Sequence, residues 1–122
     1  MKTELRQNEK PVKAGAANMQ RNIEAVGGKL YLTNERLVFE PHRMNIQREI
    51  SEIKLSRIRG ASKGWTRLFG ILPILPNALV VHSTAGEEFR FVVHAPSAWT
   101  AAIDGVKEAE VSRQPRSARS WA

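Results

Sequence analysis

Lys54, Arg57, Arg59, Lys63 and Arg67 fall within fourteen residues that contain no acid, and the same stretch runs through Trp65 into Leu68 and Phe69. Cations and large apolar side chains set this close together share one chemistry, attachment to an anionic surface. Each cation near an acidic leaflet contributes about 1 kcal/mol. Each large apolar side chain taken out of water adds about 1.5–3 kcal/mol. Peripheral attachment to a bilayer takes two such signals together. The candidate lipid- or partner-binding set is therefore Arg57, Arg59, Lys63, Trp65, Arg67, Leu68 and Phe69. Strand alternation sorts its cations: Arg59, Ala61 and Lys63 share one face, and Arg57 precedes them in a turn.

Catalytic and metal chemistry have less to work with. The histidines are His42, His82 and His94, and no two have the spacing of a metal-ligand pair. The one aspartate, Asp104, falls on the polar side of a helical segment. His82 and Glu87 or Glu88 flank a single turn, which reads as cross-strand pairing. No G-x-S-x-G, P-loop or G-x-G-x-x-G occurs. The expectation is a protein with no catalytic residues, no metal and no cofactor.

Residues 64–76, GWTRLFGILPILP, are the most apolar part of the chain. Pro73 and Pro76 argue against both a long helix and a central strand, so the segment reads as a loop between a fifth and a sixth strand. Loops lie at the surface, yet an apolar patch this large left in water is a liability. Three outlets are open: packing back on its own domain, pairing with a second copy or another protein, or dipping into a membrane surface.

The elements that position these residues are mostly β. Ala17–Arg21 forms a weak first run, and Lys29–Thr33 alternates after a Gly27-Gly28 pair that reads as a bulge or bend. Asn34 permits a tight turn and Arg36–Glu40 returns as a hairpin, with Leu30, Leu32, Leu37 and Phe39 on the inner face. Further runs follow at Ile46–Ile53, Ile58–Lys63, Ala78–His82 and Glu88–Val93, with a single turn at Leu55–Arg57 and another at Thr84–Glu87. From Pro96 the period changes: Trp99, Ala102, Ile103, Val106 and Ala109 make one apolar stripe of helical spacing. The expected architecture is mainly β with one C-terminal helix: a seven-stranded antiparallel barrel or sandwich, stoppered by Trp99 and Ile103.

Composition sets the outer bounds. A chain of 122 residues fits one domain. The organisation reads as a flexible N-terminal lead-in over 1–13, a globular domain over 14–111 and a disordered basic tail over 112–122 that carries Arg113, Arg116 and Arg119. Nineteen Lys and Arg against twelve Asp and Glu leave a formal charge of +7, which favours an anionic partner. The absence of cysteine fits a reducing compartment. MKTELRQNEKPVK lacks the apolar region of a secretory signal, and no run is long enough to span a bilayer as a helix. The expected location is cytoplasmic, peripheral to a membrane where it meets one.

One motif carries a family resemblance. Glu24-Ala25-Val26-Gly27-Gly28-Lys29-Leu30-Tyr31-Leu32-Thr33-Asn34-Glu35-Arg36-Leu37-Val38-Phe39 resembles the GRAM domain, a member of the PH-like superfold: a glycine, an alternating strand, Leu-Thr-Asn, one variable residue, Arg-Leu and an aromatic. Ile53–Ile58, Pro76-Asn77-Ala78-Leu79 (Ala where the family has Gly) and Phe91–Trp99 echo later parts of it in order, so the likeness covers about residues 15–110. The resemblance implies a PH-like fold and a non-catalytic module that binds phosphoinositides, other anionic lipids or proteins. The cations of the first hairpin, Lys13, Arg21 and Lys29, are dispersed, with Glu24 among them.

The leading expectation is therefore peripheral binding to an anionic phospholipid surface or to a protein located there. A homodimer or protein contact through the apolar loop is the alternative. Nucleic acid is the least favoured partner: it would need Phe89 and Phe91 as exposed stacking platforms, and the strand period places both, with Val93, on an inner face.

Overall fold

The computed structural model of the chain describes residues 1–21, 24–43, 49–68 and 72–113, with side chains except at 21, 24, 66–68, 72–76 and 113. Seven strands form one antiparallel sheet: β1 (Pro11–Arg21), β2 (Glu24–Thr33), β3 (Arg36–Pro41), β4 (Ser51–Lys54), β5 (Ile58–Leu68), β6 (Leu72–Ser83) and β7 (Glu88–Val93). A 3₁₀ turn, Leu55–Arg57, joins β4 to β5, and helix α1 (Pro96–Arg113) closes the described chain. Strand order across the sheet is β4-β3-β2-β1-β7-β6-β5. The sheet is open, with β4 and β5 as its edges, so the closed-barrel form of the expectation gives way to a curled sheet.

The curl follows from one distance. β3 and β7 are three places apart in the order, about 14 Å on a flat sheet at about 4.8 Å per strand. The rings of Phe39 on β3 and Phe91 on β7 nevertheless sit 5.8 Å apart, centroid to centroid. The sheet therefore folds over itself and brings its inner faces together. Leu30, Leu32, Leu37, Phe39, Leu79, Val81, Phe91 and Val93 fill that core, as alternation requires. Trp99, Ile103 and Val106 of α1 complete it, with Trp99 only 2% exposed, so the helix does stopper the sheet. Ala109, the last member of the expected stripe, faces solvent.

Three element boundaries differ from expectation for identifiable reasons. β1 begins at Pro11, inside the expected lead-in, because a continuous ladder to β2 from Lys13↔Leu32 to Arg21↔Glu24 overrides the weak strand preference of Ala14, Gly15, Ala16 and Ala17. Gly27 and Gly28 lie in regular pairing, not in a bulge. Gly28 serves close approach: a Cβ there would collide with the Glu40 carbonyl and sit 2.8 Å from both Phe39 Cζ and Pro41 Cα.

The third difference concerns the apolar segment. β5 and β6 run through it as a two-stranded arm, with pairs Thr66↔Leu75, Arg67↔Pro73 and Leu68↔Leu72. Pairing of β6 with β7 begins only at Ala78, so Pro73 and Pro76 occupy a part of β6 that has a neighbour on one side alone. Proline is tolerated there because the missing N–H need not serve a second ladder, and register shifts at Gly64/Thr66 and Thr66/Arg67 absorb the irregularity. The fourth expected run, Ile46–Ile53, is realised only from Ser51, as β4; Glu49 and Ile50 stand outside the strand, and positions 46–48 lie outside the described residues, as do 114–122 of the expected tail.

Candidate functional site

β5 is the edge strand that carries the basic set. Ile58 anchors its start at 1% exposure, and the Lys107 ammonium of α1 donates to the carbonyls of Leu55 (3.3 Å) and Ile58, tying the helix to this corner. The Thr84 N–H donates to the Arg57 carbonyl at 2.9 Å, which fixes the turn before the strand. Arg57 leaves that turn exposed. Arg59 sits in the register shift between Ile58↔Ser83 and Gly60↔His82, and it too is exposed. Ala61 packs on the core, whereas Lys63, opposite buried Leu79, reaches solvent because β5 has no outer neighbour in the sheet. Among the described residues none of Arg57, Arg59 and Lys63 forms an ion pair. The structure thus brings three of the predicted cations onto one corner and its edge strand, with their charge uncompensated.

Trp65 ends this row. The register shift beside it re-aims the strand, and the indole is left 50% exposed. Its backbone is held from the neighbouring strand: Arg90 of β7 lies across Gly64 and donates from Nη1 to the Trp65 carbonyl at 2.8 Å. A Cβ at Gly64 would meet Arg90 Nη1 at 2.8 Å and Val80 Cγ2 at 2.6 Å, so glycine is what allows the guanidinium to cross. Arg90 is a positioning residue that sequence reasoning missed; its place between Phe89 and Phe91 put it on the outer face, but nothing in the sequence paired it with residue 65. Lys54, exposed at the end of β4, adds a further cation beside the Leu55–Arg57 turn. Of the remaining predicted members, the backbones of Arg67 and Leu68 lie in β5 and their side chains, with the whole of Phe69, lie outside the described residues.

Among the described residues one further polar grouping resembles a reactive centre in outline but not in geometry. Ser62 Oγ lies 3.2 Å from His82 Nε2, and His82 Nδ1 lies 3.7 Å from Glu88 Oε1, an outline of a Ser-His-acid array. The second distance exceeds a hydrogen bond, Glu88 is more than half exposed, and the three residues lie on an open strand surface, as cross-strand pairing predicts. A shallow cleft of about 480 Å³ beside β1 and β7 is lined by Asn18, His42, Asn77 and His94 among others, with no Lys or Arg among the described residues of its wall. Among the described residues no group of three His, Asp or Glu is placed to hold a metal ion, and no helix is long and apolar enough to cross a membrane.

The chain matches no protein-family model and no curated protein sequence. Solved structures do resemble it. The N-terminal PH domain of Vps36 superposes with a TM-score of 0.65 at 12% identity, covering 90% of this chain and 87% of that one. The N-terminal PH domain of human ARAP2 gives 0.59 at 13% identity, covering 84% of each chain. The C-terminal domain of an unknown protein from Leishmania infantum gives 0.65 at 14% identity, covering 82% and 86%. The fold is PH-like.

Within this PH-like sheet the Thr33-Asn34-x-Arg36 part of the quoted motif has a structural role. Thr33 Oγ1 accepts the N–H groups of Glu35 (3.1 Å) and Arg36 (3.0 Å), shaping the β2–β3 turn, and donates to Glu9 Oε2 at 2.6 Å. Arg36 grips the same carboxylate with Nε at 2.7 Å and Nη2 at 2.9 Å, and reaches Glu52 Oε2 at 3.1 Å and the Glu4 carbonyl at 2.8 Å. The Asn34 side chain accepts from Lys10 N at 2.7 Å and donates to the Asn8 carbonyl at 3.2 Å. Glu40 accepts from the N–H groups of Lys2 and Thr3 and from the Thr3 hydroxyl. The first ten residues are thereby strapped along the β2–β3 end of the sheet. The Arg36 hydrogen bonds, helped by Thr33 and the Arg6 N–H against the cost of burial, hold the Glu9 carboxyl at about 2.

Proposed function

We propose that this PH-like domain is a non-catalytic module that attaches to anionic membrane surfaces through the β5 edge. Arg57, Arg59, Lys63, Trp65, Arg67, Leu68 and Phe69 form the contact. The observation that carries this reading is the row of exposed Arg57, Arg59 and Lys63, without ion pairs among the described residues, which runs from the turn before β5 along that edge strand into a half-exposed Trp65. The cations draw the domain to negative charge, and the indole, with the apolar arm beyond it, enters the headgroup layer. The motif residues 24–39 support placing the chain among GRAM-type members of the PH-like fold, as a cytoplasmic protein that visits membranes.

The test is sedimentation with vesicles. Vesicles of phosphatidylcholine containing about a third phosphatidylserine should carry the protein down, pure phosphatidylcholine should not, and binding should fall steeply between low and physiological salt. Equal behaviour with both vesicles removes the electrostatic half of the proposal. Nucleic acid gains no support, because Phe91 is 1% exposed and Phe89 packs against the core, leaving no stacking surface on that face.

A further inference from the structure

We infer that the β5 surface reads the density of negative charge in a bilayer and not the identity of any headgroup. The inference rests on the membrane reading above and concerns what kind of lipid satisfies it. Recognition of one multiply phosphorylated headgroup needs several cations converging on a concavity, with donors within about 3 Å of the same phosphate oxygens. Among the described residues the cations of this edge are arranged otherwise. Arg59 and Lys63 are separated by about 13 Å of extended strand, and Arg57 lies further back in the turn. All three are solvent-exposed on an outer edge. Neither the cleft beside β1 and β7 nor the one along α1 at Asp104, Lys107 and Glu108 has any of them in its wall. Lys13 of the first hairpin is turned to the Trp99 ring, 5.2 Å from its centroid. A row of separated, exposed cations meets a different headgroup with each member. Its binding energy is then a sum over cations, and the steep dependence lies on the fraction of anionic lipid.

The full chain should be titrated with phosphatidylcholine vesicles carrying phosphatidylserine, phosphatidylglycerol or phosphatidylinositol 4,5-bisphosphate, each at matched total surface charge. The expected result is equal affinity for the three within about twofold, with no competition from soluble inositol trisphosphate. Arg59→Gln and Lys63→Gln should each weaken binding about fivefold to every anionic vesicle, and the double variant about twenty-five-fold. Both positions are exposed, and unchanged thermal unfolding of the variants confirms intact folding. A preference of tenfold or more for the bisphosphate vesicle, or loss of binding to it alone on one substitution, overturns the inference while membrane attachment stands. Failure of all three anionic vesicles to bind better than phosphatidylcholine overturns both.

Discussion

The buried pair of Glu9 and Arg36 shows how one side chain governs a segment. Both side chains are almost wholly out of water and joined by two charge-assisted hydrogen bonds. Removing one partner strands the other, which costs about 3–5 kcal/mol for a buried pair. We therefore expect Arg36→Met to lower stability by that order in urea denaturation. Acid gives a second check. The folded-state value of Glu9 lies below its ordinary 4.5, at about 2, so its ionised form favours the fold. That contribution is complete above pH 4.5 and disappears as pH falls towards 2, on the order of 3 kcal/mol in all. Burial alone would raise the Glu40 carboxyl, but the donors of Lys2 and Thr3 bring it below its usual range, so it acts in the same direction. Between pH 5 and 2 the wild type should lose more stability than Glu9→Gln does. Parallel losses in the two would dissociate Glu9 from acid unfolding. Gly28 is the backbone counterpart: with the Glu40 carbonyl, Phe39 and Pro41 against it, Gly28→Ala must spread β2 from β3, and a loss of about 1–3 kcal/mol is expected.

Among the elements, the helix and the edge strand have opposite duties. α1 closes the core, and Trp99 is its largest buried contribution, placed between Gly15 and Lys13 of β1. Trp99→Ala opens a cavity that the curled sheet cannot fill, and chemical denaturation should register a loss of about 3–5 kcal/mol. β5 has to stay open without pairing indiscriminately. An edge strand of eleven residues is a template for a second chain, and charges on it are the usual protection. In an antiparallel β5–β5 contact centred near Ala61, Arg59 would face Lys63, which disfavours that dimer. Neutralising both positions should increase self-association, measured by light scattering at rising concentration; unchanged scattering would mean that these cations do not guard the edge.

For the whole molecule, the first ten residues, the β2–β3 turn and Glu52 of β4 form one hydrogen-bonded end, while Arg57, Arg59 and Lys63, without ion pairs among the described residues, lie at the Leu55–Arg57 turn and along β5. On the membrane proposal, binding and stability are therefore separable. Trp65→Ser should weaken sedimentation with anionic vesicles by a factor of about ten or more, consistent with about 1.5–3 kcal/mol for a buried aromatic, and leave the unfolding midpoint nearly unchanged. An equal drop in stability would mean that the indole packs on its own domain. If wild type is dimeric and Trp65→Ser is monomeric, the apolar arm is a self-contact and the membrane proposal loses its apolar half.

Local patterning alone determined much of this protein. The alternation of Leu30, Leu32, Leu37 and Phe39, the 3.6-residue spacing from Trp99 to Val106 and the turns at Asn34 and Gly86 each depend on near neighbours, and each is realised in the fold. The charge of the basic run at 54–67 was also visible in composition, but the exposure of Arg59 and Lys63 was not: period puts them on the face of core-packed Ala61, and the register shift and the edge position of β5 turn them to water. Tertiary structure decided what depends on partners distant in sequence. Ala14–Ala17 extend because β2 lies beside them. Pro73 and Pro76 enter a strand because only β5 pairs with that part of β6. Glu9 is an ordinary polar residue in sequence and becomes a buried anion only because Arg36, twenty-seven positions away, is folded onto it. The hydrogen bond of Arg90 to the Trp65 carbonyl is of the same kind. Long-range pairing of this sort has no period to read, since its energy comes from desolvation and geometry that exist only once the sheet has curled.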